Sequence, residues 1–161
     1  MEYIITRKNG HKVSVLYDQC DHDLIQGYKW YVSGREGNQY PAAFVKGEKR
    51  KYVVMHRVIL GISDPKIKVD HKNHNPFDNR RHNIRACTHQ QNMFNLSFRI
   101  GYKTKGITYD KSRNRWKARI GYKSKSIFIG WFKTQELAAV AYNKNAQKLY
   151  GEFALLNQIP A

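Results

Sequence analysis

The chain has 161 residues, the length of one ordinary domain or two small ones. Its 29 Lys and Arg residues against 12 Asp and Glu give a formal net charge of +17, which favours a polyanion, nucleic acid first, as partner. Hydrophobic residues make up 41% of the sequence, enough for a core, and this excludes a wholly disordered basic tail. No apolar run approaches the roughly 18 residues of a membrane span, and the first ten residues carry no export signal, so we expect a cytoplasmic protein without membrane contact. Two cysteines, Cys20 and Cys87, are too few for a disulfide framework or a four-thiolate zinc site.

The N-terminal region is predicted to be rich in β-structure. Residues 3–6 and 13–16 are β-prone and flank Asn9-Gly10, the strongest short turn signal, so they predict a hairpin. A second β-rich region covers residues 30–57, and residues 55–61 favour a short helix that ends at Gly61. We interpret residues 1–55 as a scaffold for the segment that follows.

The next segment, residues 69–92, predicts a strand, a long polar loop, a short strand and a helix. Asp70 and His71 are adjacent on the first strand, so their side chains are expected to point to opposite faces. This lets one residue hold a metal while its neighbour addresses a water. Asn92 is expected about one turn into the helix, where its amide oxygen can meet Asp70 across a shared cation. Hard oxygen ligands of this kind suit magnesium, with manganese as a substitute.

This segment resembles the HNH endonucleases, which have a ββα-metal fold, and more closely their phage and intron homing branch. The resemblance rests on the following blocks and their spacing: His56-Arg57-Val58-Ile59, Asp70-His71, Asp78-Asn79-Arg80, Asn83-Ile84-Arg85 and Thr88-His89-Gln90-Gln91-Asn92. It implies that His71 is the general base for the attacking water and that Asp70 and Asn92 hold the divalent ion. It also implies that Asn83 braces the hairpin and orients His71. Asn92 stands where the family name has its final H, a substitution usual in the homing branch.

The other polar residues of this segment leave alternatives open. Paired Arg80 and Arg81 favour phosphate binding, against the alternative that they only solvate the loop. The histidines could suggest zinc, but Cys87 is the one cysteine nearby and no Cys-x-x-Cys pair exists. His74, His82 and His89 stay unassigned.

The C-terminal region is the more basic one. Residues 1–98 carry 16 basic and 9 acidic residues, a net of +7, whereas residues 99–161 carry 13 and 3, a net of +10. Residues 105–110 predict a short strand. The next stretch alternates charged and apolar residues, as a strand with one buried face does: Arg115, Lys117 and Arg119 on one face, Trp116, Ala118 and Ile120 on the other.

A third strand and a helix complete this region. Residues 125–131 predict the strand, with Ile127 and Ile129 on its inner face. Thr134 is a good N-cap, Glu136 favours the positive helix end, and Gly151 ends the helix. Helical spacing connects Ala138, Ala141, Tyr142, Asn145, Ala146 and Leu149. The expected architecture is three antiparallel strands backed by one amphipathic helix.

Residues 105–157 resemble the DNA-binding domain of plant ethylene-response factors, which also occurs fused to phage HNH nucleases. The resemblance rests on Gly106-Ile107, Arg115 to Ile120, Ile129-Gly130-Trp131-Phe132, Thr134 with Glu136, Ala138 to Tyr142, and Leu155-Leu156-Asn157. It implies that the sheet lies in the major groove of duplex DNA. The groove-facing residues would be Thr108, Asp110, Arg115, Lys117, Arg119, Ser126 and Phe128. The Arg-rich first strand of the plant proteins is missing, so their target site is not transferred.

Together these features predict an α+β protein: a ββα-metal (HNH) core at 56–98 after the β-rich extension 1–55, a linker at 99–104 and the DNA-binding domain at 105–161. The predicted function is that of a homing-type, site-specific DNA endonuclease in a bacterium or a phage-infected cell. Cleavage of one strand, as by a nickase, is one form of this activity, and a monomer is favoured over a homodimer. The alternatives are a non-catalytic DNA-binding regulator with a degenerate nuclease module and an RNA-binding basic protein. The basic run at 46–51 fits a DNA contact or a surface loop.

Overall fold

The structure, a computed structural model, describes residues 1–45, 47, 51–96 and 104–159. It has small antiparallel sheets and few helices, and so confirms the α+β class. Two compact units are present, residues 1–92 and 93–161. Most of the linker predicted at 99–104 and most of the basic run at 46–51 lie outside the described residues. Within those residues, no helix is long and apolar enough to cross a membrane.

The first unit begins with the predicted hairpin, in which Gly10 takes a positive φ of 80° at the turn. A three-stranded sheet, a short helix and a second hairpin follow. The strands are β1 (Glu2–Thr6), β2 (Lys12–Leu16), β3 (Tyr31–Arg35), β4 (Asn38–Val45), β5 (Lys51–Val54), β6 (Lys68–His71) and β7 (Ile84–Cys87). The helices are α1 (His22–Gln26), α2 (Met55–Ile59) and α3 (His89–Phe94), which ends just past the division between the units.

One hydrophobic core holds the first unit together. Its buried side chains come from the first hairpin, from α1, from β4, from α2 and from β7: Ile5, Val15, Tyr17, Ile25, Trp30, Ala43, Met55, Ile59 and Ile84. Burying each of these removes apolar surface from water and stabilises the unit as a whole. The boundary predicted between residues 55 and 56 therefore falls inside this core, at the first turn of α2.

The second unit is the predicted sheet and helix. Strands β8 (Ile107–Asp110), β9 (Arg115–Tyr122) and β10 (Lys125–Phe132) form an antiparallel sheet in the order β10-β9-β8, and α4 (Gln135–Tyr150) packs on it. The Thr134 hydroxyl accepts a 3.2 Å hydrogen bond from the Leu137 N–H, which confirms the predicted N-cap. The core contains Ile107, Ala118, Ile120, Ala138, Ala139, Tyr142, Ala146 and Tyr150.

Two details of this unit depend on close packing. Gly106 has a φ of 70°, and a Cβ there would collide with the Arg119 carbonyl and the Tyr142 ring, so glycine is required. In β10 the register shifts between Phe128 and Gly130. Ile127 pairs with the buried Ile120, which confirms its predicted place on the inner face, although its side chain is 40% exposed.

Candidate functional site

The second hairpin of the first unit carries Asp70 and His71. Asp70 pairs with Arg85 across the β6–β7 ladder, and His71 pairs with Ile84. Since successive side chains of a strand alternate, Asp70 shares the face of Arg85 and His71 the opposite face. Both side chains are buried, with 5% and 7% of their surface exposed. The hairpin and α3 follow one another in the strand–strand–helix order that the sequence predicts.

A hydrogen bond from the polar loop fixes the His71 ring. Its Nε2 lies 3.2 Å from Oδ1 of Asn79, a fully buried side chain whose Nδ2 donates to the Pro76 carbonyl. Because Oδ1 can only accept, Nε2 carries the proton in the neutral ring, and Nδ1 carries the lone pair. Burial lowers the pKa of His71, and this outweighs the hydrogen bond that the ring donates to Asn79 and the charges of Asp70 and Asp78, which raise the pKa. The ring is therefore a neutral base at neutral pH.

Asn83, predicted to brace the hairpin, makes its hydrogen bonds to residues of the polar loop. Its Oδ1 accepts from the Asn73 N–H, and its Nδ2 donates to Oδ1 of Asn73 and to the Asp78 carbonyl. Asn79, rather than Asn83, is hydrogen-bonded to the His71 ring, and the orienting role of Asn83 stays a prediction. The sequence signal for Asn79 was its place in the Asp78-Asn79-Arg80 block.

The loop is also anchored to the N-terminal hairpin. The Leu16 N–H donates to the Phe77 carbonyl, and the Asn79 N–H donates to the Leu16 carbonyl, both at 2.8 Å. These bonds connect the end of β2 to the residue that holds His71. The first hairpin is thus bonded to the polar loop, and a scaffold role for residues 1–55 stays a prediction.

Arg80 and Arg81, the predicted phosphate-binding pair, both contact carboxylates in this structure. Arg80 bonds through Nε and Nη2 to Asp78, at 2.8 and 2.7 Å. Arg81 bonds in the same way to Asp21, at 2.9 and 2.6 Å, and also to the Ile59 carbonyl. The two guanidinium groups thus tie the loop together and to the N-terminal region. Phosphate binding by these residues stays a prediction.

Both predicted metal ligands belong to residues that affect the pKa of the Cys87 thiol. Burial raises the pKa of Cys87, the charge of Asp70 raises it further, and the Arg85 charge and the Asn92 N–H lower it. Asn92 is half-buried in α3, where its own N–H donates to the Thr88 carbonyl. Joint metal binding by Asp70 and Asn92 stays a prediction.

The donor chemistry of Asp70 and Asn92 fits a magnesium ion, because a carboxylate and an amide oxygen are hard ligands. Among the described residues, no group of three or more His, Cys, Asp or Glu side chains could hold a metal. Water and phosphate would therefore complete the coordination. Oδ2 of Asp70 also accepts from Nε and Nη2 of Arg85, at 2.9 and 2.7 Å, so an ion would share this carboxylate with Arg85.

Two aromatic neighbours of His71 were missed by the sequence analysis. The His56 ring of α2 lies 5.2 Å from the His71 ring, and the Tyr40 ring of β4 lies 6.4 Å from it, measured between centroids. His56 belongs to the block His56-Arg57-Val58-Ile59, but the spacing of this block from Asp70-His71 does not predict that the two rings meet.

The outer face of the second unit's sheet gathers the residues predicted to read DNA. The ladder pairs Thr108 with Lys117, Asp110 with Arg115, Phe128 with Arg119 and Ser126 with Gly121, so all of them share the face opposite the core. Asp110 is hydrogen-bonded to Ser112 and paired with Arg113. No carboxylate in the described part of the chain forms an ion pair with Arg115, Lys117 or Arg119.

The register shift in β10 adds Trp131 to this face. Trp131 pairs with Lys117, and without the shift its side chain would point to the core. The cationic ends of Arg113 and Lys117 lie 5.1 and 5.7 Å from the centre of its ring. The shift has no signal in the hydrophobic pattern, and so the sequence analysis left Trp131 unassigned.

Comparison with known proteins identifies the family. The chain is 35% identical over 137 residues to an uncharacterised HNH endonuclease of Acanthamoeba polyphaga mimivirus, covering 84% of this chain and 70% of that protein. No family model and no solved structure matches the chain. The extent of this similarity shows that the chain belongs to the HNH endonuclease family.

Proposed function

We propose that this protein is a metal-dependent endonuclease that hydrolyses a phosphodiester bond of duplex DNA. The observation that carries the proposal is the arrangement of His71, a buried neutral imidazole whose Nε2–H is held by Asn79 beside the buried carboxylate of Asp70. A general base needs a fixed orientation and an unprotonated nitrogen at neutral pH. The mimivirus relative is named an HNH endonuclease, and this supports the same reaction class.

In the proposed reaction, Nδ1 of His71 accepts a proton from the attacking water. The water oxygen forms a bond to phosphorus, and the bond between phosphorus and the 3′ oxygen breaks. Asn79 keeps Nε2 protonated, so the proton is taken at Nδ1. Asp70 and Asn92 would hold a magnesium or manganese ion, which supplies positive charge for the phosphate oxygens and the departing oxygen.

The second unit is proposed to supply DNA affinity. Arg115, Lys117 and Arg119 lie on one face of a sheet, with no carboxylate of the described chain paired to them, as expected of an electrostatic footprint for DNA. Major-groove binding by this face, as in ethylene-response factors, is part of the proposal. So is a homing-type enzyme that acts as a monomer: one His71 and one metal cut one strand in each binding event, which makes the product a nick.

A cleavage assay tests the proposal. Supercoiled plasmids that carry genomic DNA fragments are incubated with magnesium or manganese and with wild type, His71→Ala or His82→Ala. We expect metal-dependent nicked product from wild type and a loss of about 10²–10⁴-fold for His71→Ala, the usual contribution of a general base. His82 is an exposed histidine of the same loop, so His82→Ala should cut normally. Tight binding of DNA without any cleavage by wild type would instead support the alternative of a DNA-binding regulator.

A further inference from the structure

Two aromatic side chains lie next to each other on the outer face of the second unit's sheet. Phe128 pairs with Arg119 and Trp131 pairs with Lys117 in the ladder of β9 and β10, so both rings share the face opposite the core. Their centroids are 5.8 Å apart, with 59° between the ring planes, and the Phe128 side chain is 49% exposed. Leaving large rings in water forgoes the free energy of burying them, so this pair calls for a physical explanation.

The register shift in β10 is what brings the two rings together. Residues 128 and 131 are an odd number of positions apart, and a regular strand would place their side chains on opposite faces. After the shift, Gly130 takes the inward place opposite the buried Ala118, and Trp131 points outward. Bulges of this kind re-aim side chains and are frequent beside functional sites. The backbone of β10 thus departs from regular pairing to present Trp131 beside Phe128.

Basic side chains adjoin the pair. The cationic ends of Arg113 and Lys117 lie 5.1 and 5.7 Å from the centre of the Trp131 ring, within the range of cation–π contacts. Arg113 is also paired with Asp110, whereas the Lys117 ammonium group can meet a phosphate at the wall of a groove. The rings themselves carry no charge. The patch therefore combines attraction to a polyanion with an apolar centre.

The chemistry of duplex DNA limits what such an apolar centre can contact. Bases in a duplex are stacked on one another, so a protein in the major groove reaches only their edges. These edges carry hydrogen-bond donors and acceptors, together with one apolar group, the C5 methyl group of thymine. A phenyl ring offers no hydrogen bond to the donors and acceptors. A thymine methyl group is therefore the part of the groove that fits the pair.

We propose that Phe128 and Trp131 form a contact site for the C5 methyl group of thymine in the major groove of duplex DNA. Trp131 is then a specificity-determining residue, whereas the neighbouring basic side chains supply affinity for any sequence. The inference rests on the proposed binding of DNA by this sheet face, and it does not depend on the chemistry at His71.

The test compares DNA that has the methyl groups with DNA that lacks them. A genomic fragment that wild type binds is amplified with thymine or with uracil, which is thymine without its methyl group, and affinities for the full chain are measured by fluorescence anisotropy. The variants are Phe128→Ala, Trp131→Ala and Trp131→Gln, each checked for folding by circular dichroism. Tyr109→Ala is the matched control, because Tyr109 is 45% exposed in the same sheet but shares the opposite face with Trp116, its ladder partner.

We expect wild type to bind the uracil fragment about fourfold more weakly for each contacted methyl group, which is the gain from burying one such group. Tyr109→Ala should show the same ratio, whereas the variants of Phe128 and Trp131 should bind the two fragments about equally. Uracil also changes the deformability of the duplex, but this affects every variant alike. The difference between the wild-type and variant ratios therefore isolates the methyl contact.

Equal binding of both fragments by wild type overturns the proposal, and so does a full preference for thymine in Phe128→Ala and Trp131→Ala. A third fragment, made with 5-methylcytosine, tests the other carrier of this methyl group: tighter binding there, without loss on the uracil fragment, contradicts the assignment to thymine. A preference for single-stranded DNA that Trp131→Ala abolishes would indicate stacking on bases and also overturns it. If wild type binds DNA without cutting it, the proposed nuclease function fails, and the binding ratios still decide the role of the pair. If wild type binds no DNA, both proposals fail.

Discussion

The two units of this protein use their basic residues in opposite ways. In the first unit, Arg80, Arg81 and Arg85 each pair with an aspartate that is nearly completely buried. In the second unit, Arg115 and Arg119 extend from an exposed sheet face and pair with no carboxylate of the described chain. Arginines in ion pairs with buried aspartates hold a loop in one conformation. Basic side chains on one face with no carboxylate partner instead attract a polyanion. Under the proposed function, we therefore expect the arginines of the second unit, rather than those beside His71, to contact DNA.

The largest effect is expected from the unpaired charges. Changing Arg115, Lys117 and Arg119 together to Gln should weaken DNA binding on the order of 10²-fold and reduce the salt slope by about 3, since each phosphate contact releases counterions. Fluorescence anisotropy on labelled duplex at several salt concentrations measures both quantities.

The control for this variant is the triple change of Lys133, Lys144 and Lys148 to Gln. These lysines are exposed at the start of α4 and along it, rather than on the outer sheet face. The net charge changes by the same amount in both variants. Equal losses of affinity would show that DNA responds to total charge and not to the face.

The paired charges should matter for folding instead. Asp78 accepts bonds from both Arg80 and Asn73, and its side chain is almost fully buried. Asp78→Ala removes this acceptor; because the Arg80 side chain is 39% exposed and can bond to water instead, the free energy of unfolding should fall by about 1–2 kcal/mol. Urea denaturation measures this. Stability unchanged to within experimental error would mean that the loop does not depend on its ion pair.

The first unit should also lose stability in acid through its buried histidine. The pKa of His56 is lowered from 6.5 to about 3, chiefly by burial. Between these two values, His56 is protonated in the unfolded chain but neutral in the folded chain. Stability then falls with falling pH across this interval, with a slope of at most about 1.4 kcal/mol per pH unit from this group. The burial of His71 acts in the same direction. Denaturation midpoints of wild type and His56→Phe between pH 4 and pH 8 test this, and parallel curves would contradict it.

The smallest effect is expected for an exposed ion pair of the second unit. Asp110 and Arg113 lie 3.2 Å apart, and the Arg113 side chain is 61% exposed. Asp110→Ala should therefore change the free energy of unfolding far less than Asp78→Ala does. A loss as large as that of Asp78→Ala would remove the contrast between buried and exposed pairs.

The sequence predicted those parts of the fold that depend on local patterns. Asn9-Gly10 indicated the first hairpin, the alternation after Arg115 indicated β9, and Thr134 indicated the start of α4. Each of these signals involves neighbours within a few residues. The opposite faces of Asp70 and His71 followed from strand geometry in the same way.

The features that the sequence did not predict depend on distant partners. Arg81 pairs with Asp21, which lies 60 residues earlier in the chain, and no local pattern joins them. The Tyr40 ring reaches His71 because β4 packs there through the shared core. The register shift that exposes Trp131 also has no signal in the periodicity of β10. Tertiary packing, rather than propensity, determined these positions.

The measurement that tests this account most directly is binding and cleavage of one DNA substrate by two variants. One is His71→Ala, and the other is the triple change of Arg115, Lys117 and Arg119 to Gln. We expect His71→Ala to bind DNA with wild-type affinity and not to cut it. We expect the triple variant to cut saturating DNA at a near-normal rate but to need an about 10²-fold higher DNA concentration to reach saturation. Loss of binding in His71→Ala, or loss of kcat with unchanged affinity in the triple variant, would contradict the division of chemistry and affinity between the two units.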